Sequence, residues 1–197
     1  MLGDVSLADG RVLRGERNKE AIADAMWQCY SEGMLRPSAA EVAERAGVSV
    51  RSVHNHFEDM EALRTAVAQR QWARFESVVE LPAPDATLAQ RIATIVRNRA
   101  ELWEGVTPMR RAALLVVHDS PTVVETFARI DRRMRRVIEI TFERELQDAM
   151  PEIIEAIDAA LSWDNWNRLR IAQGCSETRA RRVLTVALEV LLEGSRA

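Results

Sequence analysis

Strand signals are nearly absent from this chain. Eight glycines and six prolines in 197 residues leave few turn regions, and the stretches between them are rich in Ala, Leu, Arg and Glu. Such composition favours helix, so an all-α fold is expected. Cysteine is confined to Cys29 and Cys175, too few and too far apart for a disulfide framework or a zinc site. Cys29 is read as a core residue and Cys175 as a loop thiol. No run reaches the ~18 uninterrupted apolar residues of a membrane span, and the acidic start has no signal-peptide pattern. A cytoplasmic protein with no membrane contact is therefore expected. Excess positive charge is missing too, since 27 basic residues face 30 acidic ones for a net charge of −3. The recognisable catalytic motifs are also lacking: there is no G-x-S-x-G elbow, no Walker loop and no dinucleotide fingerprint. His54 and His56 lie two apart on one helix and point different ways, unlike the i, i+4 histidines of a zinc site. His118, Asp119 and Ser120 are adjacent and cannot hold one another as a triad. No enzyme activity, metal or cofactor is expected.

What the sequence does have is concentrated in residues 38–57, SAAEVAERAGVSVRSVHNHF. Ser38 and Glu41 form an S-x-x-E capping box that starts one helix, and Val42, Ala43 and Ala46 give it a small apolar face. Gly47 ends that helix, because glycine adopts positive φ without steric cost and lets the chain reverse within a few residues. Ser49 then caps a second helix, Val50 to His56, which buries Val53 and leaves Val50, Arg51, Ser52, His54 and Asn55 on or near its outer side. This is the layout of a helix-turn-helix, the motif that inserts its second helix into the DNA major groove. Arg51, Ser52 and Asn55, with Val50 beside them, are the candidates for base edges. Ser38, Ser49, His54 and His56 are the candidates for phosphates. The cations of this end are Arg11, Arg14, Arg17, Lys19, Arg36, Arg45 and Arg51, fewer than its acidic residues, so DNA binding must rest on local placement.

AGVSVRSVHNHF followed by EDMEAL resembles the DNA-binding segment of tetracycline-repressor-like (TetR) regulators, and the likeness covers residues 17–63. In that family a pattern close to A-G-V-S, a small residue, Ser or Thr, an apolar residue, an aromatic, any residue and H-F leads into the next helix. Two positions depart from it. His54 stands where a phosphate-contacting tyrosine is usual, and Met60 where a lysine is frequent. His54 still offers a ring N–H to a phosphate, whereas Met60 offers only its backbone N–H at a helix start. The stretch ALSWDNWNRLRIAQGCSETRARRVLTVALEVLL is similar to the last two helices of many such regulators, which pair with their equivalents in a four-helix dimer interface. That similarity rests on Trp166, Leu169, Gly174 and Ser176, with Trp163 and Trp166 read as interface anchors or plain core.

The rest of the chain is read as follows. Residues 1–16 form a flexible arm that reaches along DNA or has no role, and residues 17–60 the three-helix DNA-binding domain. Residues 61–197 form a helical ligand-binding and dimerisation domain, giving about nine helices in all. Thr107-Pro108 and Ser120-Pro121 each pair a capping hydroxyl with proline at a first helical position, so both are read as helix starts. Pro151 and Gly174 bracket one helix, and Ser176 caps the last. That final helix is apolar over more than half its circumference, which points to a second copy of the chain. Arg129, Arg132, Arg133, Arg135 and Arg136 are read as a solvated face, with a second DNA surface or one inward, anion-binding arginine as the other readings.

The function expected is a DNA-binding transcriptional regulator, a repressor whose dimeric hold on operator DNA is relieved by a small-molecule effector. The resemblance implies an effector pocket formed by helices between about residues 60 and 150. Trp103, Met109, His118, Phe127 and Met134 are its candidate lining by apolar character and position, with core packing as the competing reading. A small-molecule-binding or scaffold protein without an operator, or an enzyme, are the alternative classes.

Overall fold

The computed structural model describes residues 5–76, 79–117, 120–147 and 149–194. Among these the chain is all-helical, with ten α-helices, one π-helical turn and no strand. It packs as two compact units, residues 1–74 with 108–123 and residues 75–107 with 124–197.

The first unit begins with α1 (Val5–Ser31), followed by α2 (Ala39–Ala46), α3 (Val50–His56) and α4 (Met60–Glu76). Ile22, Ala25, Met26, Cys29 and Tyr30 repeat at helical spacing on α1 and are almost fully buried. Gly33, at φ 86°, stops the helix. Its N–H goes to the Tyr30 carbonyl and that of Met34 to the Cys29 carbonyl, at 3.0 and 2.9 Å. The α1 helix starts at Val5 rather than near Arg17, so the segment expected to be an irregular arm continues the helix. Half of its residues, among them Leu7, Ala8, Leu13, Arg14 and Glu16, are good helix formers, and propagating an existing helix costs little.

The Asp59 carboxylate caps α4 by accepting from the Ala62 N–H at 2.7 Å. Leu63, Val67 and Gln71 then fall one turn apart and are buried. Asp24 on α1 and Arg70 on α4 form an ion pair at 2.9 Å. Two long-range bonds draw residues 108–123 into the same unit. The Arg36 guanidinium donates to the Leu115 carbonyl at 2.9 Å, and the Ser120 hydroxyl to the Glu61 carboxylate. A boundary at residue 60 separates stretches of sequence, whereas the packed unit is assembled from two of them.

In the second unit Thr87 and Gln90 form a reciprocal capping box at the start of α5 (Leu88–Leu114). This helix runs straight through Thr107-Pro108, against the expectation of a fresh start there. Proline lacks the N–H that would bond back to the Glu104 carbonyl, yet the surrounding turn is held by side chains. The Thr107 hydroxyl donates to the Trp103 carbonyl and accepts the Trp163 indole N–H at 2.9 Å. At Ser120 the expected start is present, opening α6 (Pro121–Thr141) with the Ser120 hydroxyl accepting from the Val123 N–H at 3.3 Å.

After a short α7 (Glu143–Leu146), the single helix expected between Pro151 and Gly174 is divided. It consists of α8 (Glu152–Leu161), α9 (Trp163–Asn167) and a π-helical turn, Arg168–Ala172. Ser162 has extended backbone with ψ 156° and caps α9 through the Asn165 N–H, which breaks the run without glycine or proline. Gly174, at φ 62°, and the Ser176 cap then launch α10 (Glu177–Gly194), which packs on α8.

This unit is knitted by polar pairs that range from buried to half-exposed. Arg91 reaches Glu145 with two bonds of 2.7 and 2.6 Å, donates to the Thr141 carbonyl at 2.7 Å, and lies over the Phe142 ring. Trp166 donates its indole N–H to Glu104 at 2.8 Å, and Arg170 binds the same carboxylate at 2.7 Å. The arginine cluster on α6 is solvated as expected, with Arg129, Arg132, Arg133 and Arg136 exposed. Arg135 bridges to Glu139 on its own helix and to Glu155 on α8, at 3.6 and 2.8 Å.

Candidate nucleic-acid interface

The turn that presents α3 is built from short-range bonds. Ser38 and Glu41 close the expected box: the Glu41 carboxylate accepts from the Ser38 N–H and hydroxyl, both at 2.7 Å, and the Ser38 oxygen accepts from the Glu41 N–H at 3.3 Å. Those two bonds from Ser38 hold the Glu41 carboxyl below the usual carboxylate range. Gly47 takes the left-handed conformation, φ 65° and ψ 31°, with its N–H directed at the Ala43 and Glu44 carbonyls. Ser49 caps α3 by accepting from the Ser52 N–H at 3.1 Å.

Beneath α3, Val53 is 1% exposed and Phe57 6%, so its lower side is fixed to the unit's core. Its other side is open. Val50, Arg51, His54 and Asn55 are exposed, and Ser52 and His56 are half-buried. His56 stands against α1: a Cβ placed on Gly15 would be 3.9 Å from its Cε1.

Not every candidate cation is at liberty. Arg45 forms an ion pair with Glu32 at 2.8 Å and donates to the Cys29 sulfur at 3.3 Å, which ties the end of α2 to the end of α1. Burial pushes the Cys29 thiol up, so it is an inert core group. Ser38 uses its hydroxyl within its own capping box, so a phosphate there meets a group already engaged.

The candidate ligand residues do not all belong to one unit. Trp103 and Met134 are buried and Phe127 is half-buried, all three in the second unit. The Trp103 indole donates to the Leu161 carbonyl at 2.8 Å. Met109 is a core residue of the first unit, and His118 lies outside the described residues. A residue of interest that escaped the sequence reading is Arg99, charged yet 3% exposed, on the buried face of α5. It follows Ile92 and Val96 and precedes Trp103 and Val106 at alternating four and three residue steps, a register that marks a core position whatever side chain occupies it. No group of three His, Cys, Asp or Glu able to hold a metal ion occurs among the described residues, and none of their helices is long and apolar enough to cross a membrane.

Residues 21–67, from within α1 to the middle of α4, match the family model for bacterial regulatory proteins of the tetR family. No curated protein matches the chain. Solved structures do. A transcriptional regulator of Mesorhizobium loti assigned to the TetR family is 21% identical, with a TM-score of 0.71 over 92% of this chain and 98% of that one. A transcriptional regulator from a Rhodococcus species is 17% identical, with a TM-score of 0.66 over 93% and 98%. The multidrug-binding protein EbrR, solved with imidazole, is 22% identical, with a TM-score of 0.59 over 87% and 92%. These identities speak for a common fold, and the segment that carries the helix-turn-helix is the part of the chain that matches the model of tetR-family bacterial regulatory proteins.

Proposed function

We propose that this protein is a cytoplasmic transcriptional repressor that grips operator DNA as a homodimer and lets go when a small molecule binds its second unit. The observation that carries the reading is α3 itself, a seven-residue helix fastened from below by Val53 and Phe57 and bare on the side that bears Arg51, His54 and Asn55. In this reading Arg51 addresses guanine, Asn55 adenine, Ser52 either, and Val50 a thymine methyl. Ser49, His54 and His56 meet phosphates, with Ser38 contributing from the start of α2. No catalytic role is assigned to the chain.

Dimerisation is supported by the two-sidedness of α10. Ala180, Leu184, Leu188 and Leu192 are fully buried within the chain, whereas Val183, Val186 and Val190 form a second apolar line, 39%, 57% and 67% exposed. Two reading helices must lie about 34 to 36 Å apart to enter successive major grooves, so a second copy gives the repressor its reach. Effector relief is supported by the shared fold of a multidrug-binding relative, and Trp103, Phe127 and Met134 are the proposed contacts.

The test is a gel shift on the DNA upstream of the protein's own gene over a range of salt concentrations. Binding is expected to weaken steeply with salt. Arg51→Ala is expected to cost roughly 1 to 3 kcal/mol on the operator while leaving nonspecific DNA nearly unaffected. An equal loss on every sequence would show that Arg51 does not read a base, and no shift at any salt concentration would end the repressor reading.

A further inference from the structure

Arg99 is a buried cation with no carboxylate in ion-pair contact among the described residues. Its guanidinium makes a single hydrogen bond among the described residues, from Nη2 to the Met134 carbonyl at 2.9 Å. Its carbon lies 5.9 Å from the centre of the Trp103 ring. The Nε–H is buried and has no acceptor. Asp158 and Asp131 act on it only through space, and Arg135 already lies 3.9 Å from Asp158. Its neighbours on α5, Ile95, Val96, Ala100 and Leu102, are all buried and apolar.

A guanidinium in such surroundings is costly. Burial draws its pKa down to about 10, which still leaves it charged at neutral pH. Charges are taken out of water only where they are paired and their donors satisfied, and a well-packed Met or Leu would serve the core better. The partners that exist use one N–H and one face of the cation, and the buried Nε–H is left without an acceptor.

We infer that Arg99 is the anchor of the effector site and that the effector is a small apolar carboxylate, held by the Nε–H beside Trp103. The inference rests on the proposed ligand-responsive regulator and adds the chemical class of the ligand. A carboxylate offers two oxygens in one plane with the guanidinium and meets it with a single opposite charge. A phosphate brings a second negative charge, which a single buried guanidinium does not neutralise. The apolar residues around it select an aliphatic or aromatic body. Trp103 spends its N–H on Leu161 and so presents only its ring to the ligand.

The experiment uses the full chain and matched probes: benzoate against benzamide, octanoate against octanamide, and inorganic phosphate, each read by thermal melting and calorimetry. At least one acid is expected to bind and raise the melting temperature, with its neutral amide and phosphate ineffective. Arg99→Met is expected to weaken that acid by roughly 10- to 100-fold, the loss of a hydrogen bond to a charged group. It should also melt no lower than the parent, because it removes a lone buried charge. The inference is overturned if acids and amides bind alike, if none of the acids binds, if phosphate binds as well as the acids, or if Arg99→Met keeps the acid's affinity. A variant that melts far below the parent also overturns it, since the cation would then be structural. The gel shift separates the two ideas. Operator binding without an acid response refutes the carboxylate alone, and an acid response without operator binding refutes the repressor alone.

Discussion

Val186 on α10 offers the most direct way to break the protein's proposed quaternary structure without touching its core. It is 57% exposed and lies on the opposite side of the helix from Leu184, Leu188 and Leu192, which are 1%, 0% and 0% exposed. A methyl group taken out of water contributes about 0.8 kcal/mol. Val186→Ala removes two, of which a little over half the surface is available to a partner, so about 1 kcal/mol is lost per protomer. A two-fold interface repeats every change, which doubles this to about 2 kcal/mol and raises the dimer dissociation constant by roughly 30-fold. Val186→Glu goes further, since it puts a carboxylate into a contact that its symmetry mate also enters, and should leave monomers at any working concentration. Sedimentation velocity over a dilution series gives the dissociation constants, and far-ultraviolet circular dichroism checks that the helices remain. If Val186→Glu and Val190→Glu both sediment as tight dimers, α10 is not the contact and the reasoning from its exposed valines is wrong.

Other outcomes follow from single positions. Gly47→Ala should destabilise the protein by about 1 kcal/mol in chemical denaturation, because φ 65° is unfavourable for any side chain even though an added Cβ meets nothing within 4 Å. Gly15→Ala, inside α1 with only an ordinary 3.9 Å contact to His56, should stabilise it by roughly 0.5 to 1 kcal/mol in the same assay. Arg91→Met takes the guanidinium from the buried Glu145 and should cost about 3 to 5 kcal/mol, most of it recovered in the double variant with Glu145→Leu. Equal instability of single and double variants would contradict the pairing argument. Tyr30, the only tyrosine, has its phenol pushed up to about 12 by burial. The unfolded chain ionises near pH 10 and the folded one does not, so the contribution of Tyr30 to stability is complete below pH 10 and is lost as pH rises toward 12. Tyrosinate absorbance followed through an alkaline titration should therefore lag that of the denatured protein.

The parts of this fold legible in the sequence are those written in local grammar. Ser38 with Glu41, Gly47 and Ser49 each act within three or four residues, and all four behave as their neighbours dictate. Thr107-Pro108 shows the limit of such reading, because the pair has the form of a helix start and only the indole of Trp163, 56 residues away, shows what Thr107 is bonded to instead. Ser162 broke a run of good helix formers with no glycine or proline to announce it. The bonds from Arg36 to Leu115 and from Ser120 to Glu61 span 79 and 59 residues, and no local pattern encodes them. Arg99 occupies a position in the apolar register of α5, but nothing local to its sequence marks a charged side chain for burial. At the candidate interface, sequence sorted the outward from the inward residues of α3 correctly, but it could not foresee that Arg45 would be spent on Glu32 and Cys29.

The tryptophans of the second unit carry one more consequence. Trp103, Trp163 and Trp166 donate their indole protons to three chemically different acceptors, the Leu161 carbonyl, the Thr107 hydroxyl and the Glu104 carboxylate. Each proton can exchange with deuterated water only after its bond opens. The chain thus contains three natural clocks, distinguishable by nuclear magnetic resonance, that time the loosening of the helices around α5 without any attached label.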